Sequence, residues 1–386
     1  MNNNIMFNSK TIQAFKSVDT PFYYYDLQLL DETLKSLTTA AKDYHIHYAL
    51  KANAHPTLLD KILKAGLSAD CVSGNEVKRA LACNFKSHEI VFAGVGKSDK
   101  EINLALDANI FCFNVESIEE LFVINQLAIN KNKVAPIALR INPNVDAYTH
   151  KYITTGLEEN KFGINPYEFE TVLDKLSGLT NLKLIGLHFH IGSQIKDLNV
   201  FKTLCLKVNE INSWFRNNHI KIEHLNLGGG LGIDYAEPNQ NAIVNFEGFF
   251  KIFRDFLTLF PNQKIHFELG RSVIAQCGSL ISRVLYIKKG INTNFMILDA
   301  GMTELIRPAL YQAYHKIENI SQSNQVINSK YDVVGPICET SDCFGKAVPM
   351  QESVRGDLIA IRSAGAYGEV MSNHYNLRDS VQSVFS

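Results

Sequence analysis

Hydrophobic residues fall into short runs along the first two thirds of the chain, and each run is followed by a turn signal and a helical pattern. Eight runs have the length of a strand and are largely continuous in hydrophobicity rather than alternating, as is typical of parallel strands buried on both faces. They are 47–52, 66–72, 90–94, 111–115, 137–141, 184–191, 222–227 and 264–269. Intervening segments such as 75–82, 118–128, 166–176, 198–214 and 246–260 have helical periodicity. Eight such units predict a (β/α)8 TIM-like barrel, with a doubly wound open sheet as the alternative.

After residue 269 the pattern changes. The runs 280–287, 295–299, 331–334 and 353–361 are separated by turn-rich stretches and predict a second, mainly antiparallel β domain. The segment 21–25 is expected to join this domain. The predicted domains are therefore an N-terminal segment 1–25 that contributes to the β domain, a barrel 26–280 and a C-terminal β domain 281–386.

Composition and charge exclude several classes of protein. The 386 residues are 46% hydrophobic and 20% charged, as in an ordinary globular protein. Lys and Arg (38) balance Asp and Glu (39), so neither a nucleic-acid partner nor an anionic membrane is expected. No signal-like or membrane-spanning apolar run is present, and the seven cysteines never form a CxxC pair. These features predict a cytoplasmic protein with reduced thiols.

Residues with reactive or ligand-binding side chains stand at the carboxyl ends of the predicted strands, where the active sites of barrel enzymes are built. Lys51 closes the first strand and could form a Schiff base with a carbonyl compound such as pyridoxal phosphate (PLP), or simply extend to solvent. The run Gly228–Gly230 could cradle a phosphate or form only a tight turn. Glu268 could keep a pyridine nitrogen protonated, or form a structural ion pair with Arg271.

The His-Phe-His stretch after the sixth strand allows two interpretations. Only one of His188 and His190 is expected to face the mouth of the barrel, the end formed by the carboxyl ends of the strands, on the side of Lys51; the other is expected to be a core histidine. Ser193 could add a hydroxyl to a bound anion. A metal site is the alternative, but it needs more ligands at strand ends. His266 lies inside its strand and no aspartate is expected at a strand end, so no metal site is predicted.

Seven motifs in order resemble the fold-type III PLP-dependent decarboxylases, and among them the diaminopimelate decarboxylases of lysine biosynthesis. The resemblance runs from Pro21 to about Asn376. The motifs are YALKAN 48–53, TTGLEENKFGI 154–164, HFHIGSQI 188–195, LNLGGGLGI 225–233, LDAGMTELIRPALYQAYH 298–315, GPICETSD 335–342 and AGAYG 364–368.

The resemblance implies PLP as cofactor and decarboxylation of meso-2,6-diaminopimelate to L-lysine and CO2. It implies that Lys51 holds PLP and that Cys338, reaching the site from a second subunit of a homodimer, donates a proton; Cys338 could instead be a small buried hydrophobe. The implied cofactor-binding residues are Lys51, His190, Ser193, Gly229, Gly230, Glu268, Gly270, Arg271 and Tyr367. The implied substrate-binding residues are Arg271, Arg307, Tyr311, Tyr367 and, from the second subunit, Glu339.

Two alternative functions remain. A sister decarboxylase acting on ornithine or carboxynorspermidine would share the fold, but two arginines and Glu339 after the cysteine favour a substrate with a second carboxylate. A catalytically silent relative would be expected to have lost the lysine, the cysteine or the phosphate loop, and all three are present.

The chain departs from the family pattern in two places. Leu269 stands where the family usually has proline, and little loss is expected because Glu268 is unaffected. The chain ends at 378–386, where the family normally continues with a further β segment. We therefore expect the small domain to lack a strand and expose a sheet edge, with lower stability or weaker dimerisation.

Overall fold

The computed structural model describes residues 7–145, 161–323 and 325–386, so part of the TTGLEENKFGI motif, residues 154–160, lies outside the described residues. The chain divides into two compact units. The barrel unit comprises Leu34–Gly232 and Asn245–Arg271, and the β unit comprises Met1–Thr33, Ile233–Val244 and Ser272–Ser386. The predicted domain limits, after residues 25 and 280, stay a proposal.

Strands and helices are numbered in chain order over the described ranges. The strands are β1 Phe22–Tyr25, β2 His45–Ala49, β3 Ser68–Cys71, β4 Ile90–Phe92, β5 Cys112–Val115, β6 Ala135–Ile141, β7 Leu182–Phe189, β8 His224–Asn226, β9 Lys264–Leu269, β10 Gly278–Lys289, β11 Asn294–Leu298, β12 Ile317–Asn319, β13 Ile327–Val334, β14 Cys343–Gln351, β15 Leu358–Ile361 and β16 Gln382–Phe385. The α-helices are α1 Ser9–Phe15, α2 Leu27–Ala40, α3 Pro56–Lys64, α4 Gly74–Ala82, α5 Asp99–Ala108, α6 Ile118–Asn130, α7 Phe169–Leu176, α8 Asn199–Asn217, α9 Phe246–Phe256, α10 Arg271–Ile274 and α11 Arg307–Tyr311.

The barrel unit is a closed cylinder of eight parallel strands. Strands β2 to β9 pair in chain order, and β2 also pairs with β9, which closes the barrel. The predicted (β/α)8 fold is confirmed. The first strand is shorter than expected, because β2 ends at Ala49 and Lys51 lies in a 3-10 turn, Leu50–Ala52.

Local sequence explains where the barrel helices begin and which face they bury. The side chains of Ser73 and Ser117 accept the backbone N–H groups of Glu76 and Glu120 and so cap α4 and α6. Helix α9 places Phe246, Phe249, Phe250 and Phe253 on one face, a spacing of three and four residues. The last three contact Phe267 of β9 edge-on, with ring centroids 4.7 to 5.7 Å apart.

Histidine rings fill the amino-terminal end of the barrel. His47 Nε2 lies 3.0 Å from His266 Nδ1, and His266 Nε2 lies 2.8 Å from His224 Nδ1. Burial lowers the pKa of His47 to about 4, so this ring is neutral near pH 7. This end is therefore a packed core, and polar chemistry concentrates at the carboxyl ends of the strands.

The β unit is built on one mixed, mainly antiparallel sheet. Its strands follow the order β12-β15-β10-β11-β13-β14, and β10 also pairs with β1. The pairs β11–β13 and β1–β16 are parallel, whereas the others are antiparallel. A cluster of Phe15, Phe22, Tyr24, Ile281 and Leu358 packs between α1 and the sheet.

The end of the chain forms a strand of its own. β16 pairs with β1 in parallel, and the Phe385 ring stacks on Tyr25 with centroids 5.3 Å apart. The expected loss of stability or dimerisation stays a prediction. Among the helices of the described ranges, none is long and apolar enough to cross a membrane.

Candidate active site

A lysine and a buried aspartate meet at the carboxyl end of the barrel. Lys51 Nζ lies 3.0 Å from Asp70 Oδ2, with 39% of the lysine side chain exposed and the aspartate fully buried. Burial, followed by the negative charge of Glu268, raises the pKa of Asp70, and the Lys51 charge opposes this shift. The expectation of no aspartate near a strand end was wrong. β3 ends at Cys71, one residue after Asp70.

Glu268 is held by three donors from three different strands. His188 Nε2 lies 2.9 Å from Oε2, while Asn226 Nδ2 and Asn114 Nδ2 lie 2.7 and 3.1 Å from Oε1. Burial alone would raise the pKa of Glu268, but the charge and hydrogen bond of His188, with the Lys51 charge, hold it well below its usual range. A carboxylate accepts about four hydrogen bonds, so these donors leave capacity for one more. Glu268 is therefore a buried, ionised acceptor.

Both histidines of the His-Phe-His stretch lie at the mouth. The prediction that only one of them faces the side of Lys51 was wrong, because residues two apart along a strand share a face. His188 is nonetheless buried, with 1% exposure. His188 reaches Glu268, and His190 Nδ1 accepts the backbone N–H of Gly229 at 3.3 Å. Burial, followed by the charge of Arg140, lowers the pKa of His190 to about 3. His190 is therefore a neutral ring beside the glycine loop.

The glycine loop leaves no room for side chains. A Cβ on Gly229 would lie 1.9 Å from the carbonyl oxygen of Glu268, and one on Gly230 would lie 2.5 Å from that of Gly192. Gly230 also has a φ of 99°, which favours glycine. Arg271, which follows Gly270, donates from Nη2 to Ser193 Oγ at 3.0 Å. Ser193 and Arg271 are thus joined in the barrel unit.

These residues fit PLP. Asp70 Oδ1 and His188 Nδ1 are buried at the mouth and have no hydrogen-bond partner within the described ranges. Buried polar atoms are normally satisfied, so these two atoms leave hydrogen-bonding capacity that suits a polar ligand. In the part of the chain that the structure describes, no group of three or more His, Cys, Asp or Glu side chains could hold a metal ion.

The other predicted site residues lie in the β unit. Arg307 and Tyr311 are the first and last residues of α11, and Tyr367 has a left-handed φ of 57°. Cys338 is exposed, so its interpretation as a buried hydrophobe was wrong. Its backbone N–H donates to Asn376 Oδ1 at 3.3 Å, and the Tyr375 hydroxyl donates to Glu339 Oε1 at 2.7 Å.

Comparison with known proteins identifies the family. The family described as "Pyridoxal-dependent decarboxylase, pyridoxal binding domain" matches residues 27–275. Diaminopimelate decarboxylase of Bacteroides thetaiotaomicron is 56% identical over 95% of this chain and 96% of its own. That of Haemophilus influenzae is 40% identical over 95% of this chain and 88% of its own. The chain belongs to the diaminopimelate decarboxylase family. Its PLP-dependent decarboxylase class, predicted from the motifs, is thereby confirmed.

Solved structures of the diaminopimelate decarboxylase family have the same fold. The crystal structure of the Helicobacter pylori enzyme complexed with L-lysine matches with a TM-score of 0.91 and 39% identity, over 97% of this chain and 93% of that one.

Several residues at the mouth of this family member were not predicted from sequence. Besides Asp70, Asn114 and Asn226, they include the buried pair Arg140 and Glu116, joined at 2.7 Å between Nη1 and Oε1. The Arg140 guanidinium lies 4.6 Å from the Phe162 ring centroid. An arginine one residue before the end of an apolar strand was the available signal for this pair.

Proposed function

We propose that this protein decarboxylates meso-2,6-diaminopimelate to L-lysine and CO2 with PLP, the last step of lysine biosynthesis by the diaminopimelate pathway. The observation that carries the proposal is the buried, ionised Glu268 at the barrel end that also holds Lys51 and the glycine loop. The substrate follows from the relatives, which are named diaminopimelate decarboxylases.

The barrel residues would hold the cofactor at this mouth. Lys51 would bind PLP covalently, Glu268 would pair with the pyridine nitrogen and His190 would stack on the ring. The phosphate would be bound by residues that lie on or beside the glycine loop, namely Ser193, Gly229, Gly230, Gly270 and Arg271. Bound PLP supplies a protonated pyridine ring that accepts the electron pair left by the departing CO2.

Two carboxylates at the mouth would perform different tasks. The ionised Glu268 would keep the proton on the pyridine nitrogen, because opposite charges stabilise each other in a buried site. Asp70, whose pKa is raised by burial, lies 3.0 Å from Lys51 Nζ and would take up a proton from the ammonium. The lysine amine would then be free to act as a nucleophile.

Substrate recognition would centre on the end that does not react. We propose that Arg271, Arg307 and Tyr311 bind the distal carboxylate, since guanidinium groups bind carboxylates in a bidentate manner. Glu339 would pair with the distal ammonium, and Tyr367 would lie between substrate and cofactor. The Cys338 thiol would donate the proton that completes L-lysine.

The active enzyme is proposed to be a cytoplasmic homodimer. Cys338 and Glu339 are exposed in the chain, which suits residues that complete the site of a partner subunit. A closed two-fold dimer would then contain two equivalent shared sites.

Purified protein supplemented with PLP is expected to release CO2 from meso-diaminopimelate and form L-lysine in equal amounts. Ornithine should give no CO2, because it lacks the distal carboxylate that the arginines would bind. Trapping of labelled CO2 and chromatography of the amino-acid product measure both expectations. Turnover of ornithine without turnover of diaminopimelate would reject the proposed substrate and favour the sister activity.

Mixing two inactive variants is expected to restore activity. Lys51→Ala and Cys338→Ala remove different parts of a shared site, so a mixed dimer has one intact site. Random reassortment makes half of the dimers mixed, which predicts about a quarter of wild-type activity for a symmetric two-site dimer. Sedimentation equilibrium measures the dimer itself. A dimer whose mixed form stays inactive would place Cys338 in its own subunit's site.

A further inference from the structure

A buried cluster in the β unit surrounds the guanidinium of Arg307. Arg307 Nη1 lies 2.9 Å from the Tyr235 hydroxyl oxygen and 2.9 Å from His315 Nε2. All three side chains are at least nine-tenths buried, with 5%, 8% and 2% exposure for the arginine, tyrosine and histidine. We infer that Tyr235 and His315 are positioning residues that set the Arg307 guanidinium for the distal carboxylate of the substrate. This inference rests on the proposed function and deepens it.

The hydrogen bonds fix the protonation state of His315. A guanidinium can only donate, so His315 Nε2 must be the acceptor. His315 Nδ1 lies 2.8 Å from the carbonyl oxygen of Arg362, which can only accept, so Nδ1 carries the hydrogen. His315 is therefore the neutral Nδ1–H tautomer, and it links Arg307 to the backbone of Arg362, the residue that follows β15.

Ring contacts complete the support of the guanidinium. The Arg307 guanidinium carbon lies 5.2 Å from the Tyr235 ring centroid, and the Tyr235 and His315 rings meet edge-on at 5.0 Å. The two hydrogen bonds occupy both N–H groups of Nη1 and so fix the plane of the guanidinium. A fixed plane matters because bidentate binding of a carboxylate requires two N–H groups in one orientation.

The chain geometry brings His315 back onto Arg307. Helix α11 begins at Arg307 with Pro308 in its first turn and ends after five residues, where Gln312 has a left-handed φ of 53°. The reversal returns His315 to the first residue of the same helix. Tyr235 comes from the distant segment Ile233–Val244 of the same unit.

Two ligands that differ by one carboxylate test the inference. L-lysine keeps the distal carboxylate of diaminopimelate, whereas cadaverine lacks it. Tyr235→Phe and His315→Phe each remove one acceptor of Arg307 and are expected to weaken inhibition by L-lysine about tenfold or more, the scale of a lost hydrogen bond to a charged group. Inhibition by cadaverine should stay unchanged, and KM for diaminopimelate should rise while kcat is retained.

Control variants separate positioning from folding. His315→Gln keeps an acceptor for Arg307 and should retain more L-lysine binding than His315→Phe. Tyr286→Phe removes the hydroxyl of a tyrosine that is 58% exposed and should leave inhibition by L-lysine and by cadaverine unchanged. Tyr235→Phe retains the ring, so it keeps the test open if the histidine variants fail to fold.

The outcomes distinguish this inference from the proposed function. If the wild type is inhibited more strongly by L-lysine than by cadaverine, and Tyr235→Phe and His315→Phe keep the full difference, only the positioning role is overturned. If inhibition by L-lysine and inhibition by cadaverine weaken equally in the variants, the effect is a general structural one and the positioning role is also overturned. A wild-type protein that neither turns over diaminopimelate nor prefers L-lysine overturns the proposed function, and the inference falls with it.

Discussion

Replacement of Lys51 by alanine is expected to abolish both covalent retention of PLP and decarboxylation. Lys51 stands at the barrel mouth beside Asp70, where an amine can act as a nucleophile. Turnover should fall by roughly 10³-fold or more, the scale for loss of a group central to covalent catalysis. Borohydride reduction followed by peptide mass spectrometry should find PLP on Lys51 in the wild type and nowhere in the variant.

A lysine-to-arginine variant provides the matched control. Lys51→Arg keeps a positive charge for Asp70 but cannot form the covalent bond, so it should be as inactive as Lys51→Ala. The two should differ in stability, because removing the lysine charge leaves the buried Asp70 carboxylate without its cation. Thermal unfolding should therefore show Lys51→Arg to be the more stable. Wild-type turnover by either variant would reject Lys51 as the PLP lysine.

The barrel could be predicted because its signal is local. Most of the strands lie in largely apolar runs, and several helices carry their own N-cap or apolar face, as Ser73 of α4 and Phe249 of α9 illustrate. The short 3-10 turn that holds Lys51 could not be seen in this way. An apolar run does not reveal whether its last residues extend the strand or turn, since Ala49 and Ala52 fit either.

The partners of Glu268 could not be predicted because they depend on the register of distant strands. Asn114 and Asn226 are separated from Glu268 by 154 and 42 residues, and both reach the same oxygen. A polar side chain in an apolar strand indicates a hydrogen-bonding role, but the sequence does not show which residue of another strand it contacts. The same holds for Tyr235, which is 72 residues from Arg307.

The β unit shows this limit most clearly at the chain ends. The segment 21–25 was expected to join the β domain, and its residues Phe22–Tyr25 pair with Gly278–Ile281. Its other neighbour, Gln382–Phe385, comes from the opposite end of the chain. A short run ending in Val384 and Phe385 has too weak an alternation to signal a strand by itself. Pairing with β1 supplies the backbone hydrogen bonds that the sequence pattern does not show.

Replacement of Glu268 by glutamine is expected to weaken PLP binding and to lower kcat by about 10²-fold or more, as when a single electrostatic contact to the developing charge is removed. Glutamine has nearly the same shape and its amide oxygen can still accept from Asn114 and Asn226, but it carries no negative charge to retain a proton on the pyridine nitrogen. Turnover with saturating PLP and equilibrium dialysis of PLP measure the two effects.

Glu268→Asp separates the charge of this residue from its position. Aspartate keeps the carboxylate but withdraws it by one methylene group, so its kcat should fall between those of the wild type and Glu268→Gln. Thermal unfolding without PLP should show that Glu268→Gln is folded, because His188 can donate or accept at Nε2 as its tautomer changes. If Glu268→Gln bound PLP tightly and kept wild-type kcat, the ionised carboxylate would not be the partner of the pyridine nitrogen. Asp70, whose carboxylate oxygen Oδ1 is buried without a partner in the described ranges, would then be the first alternative to test.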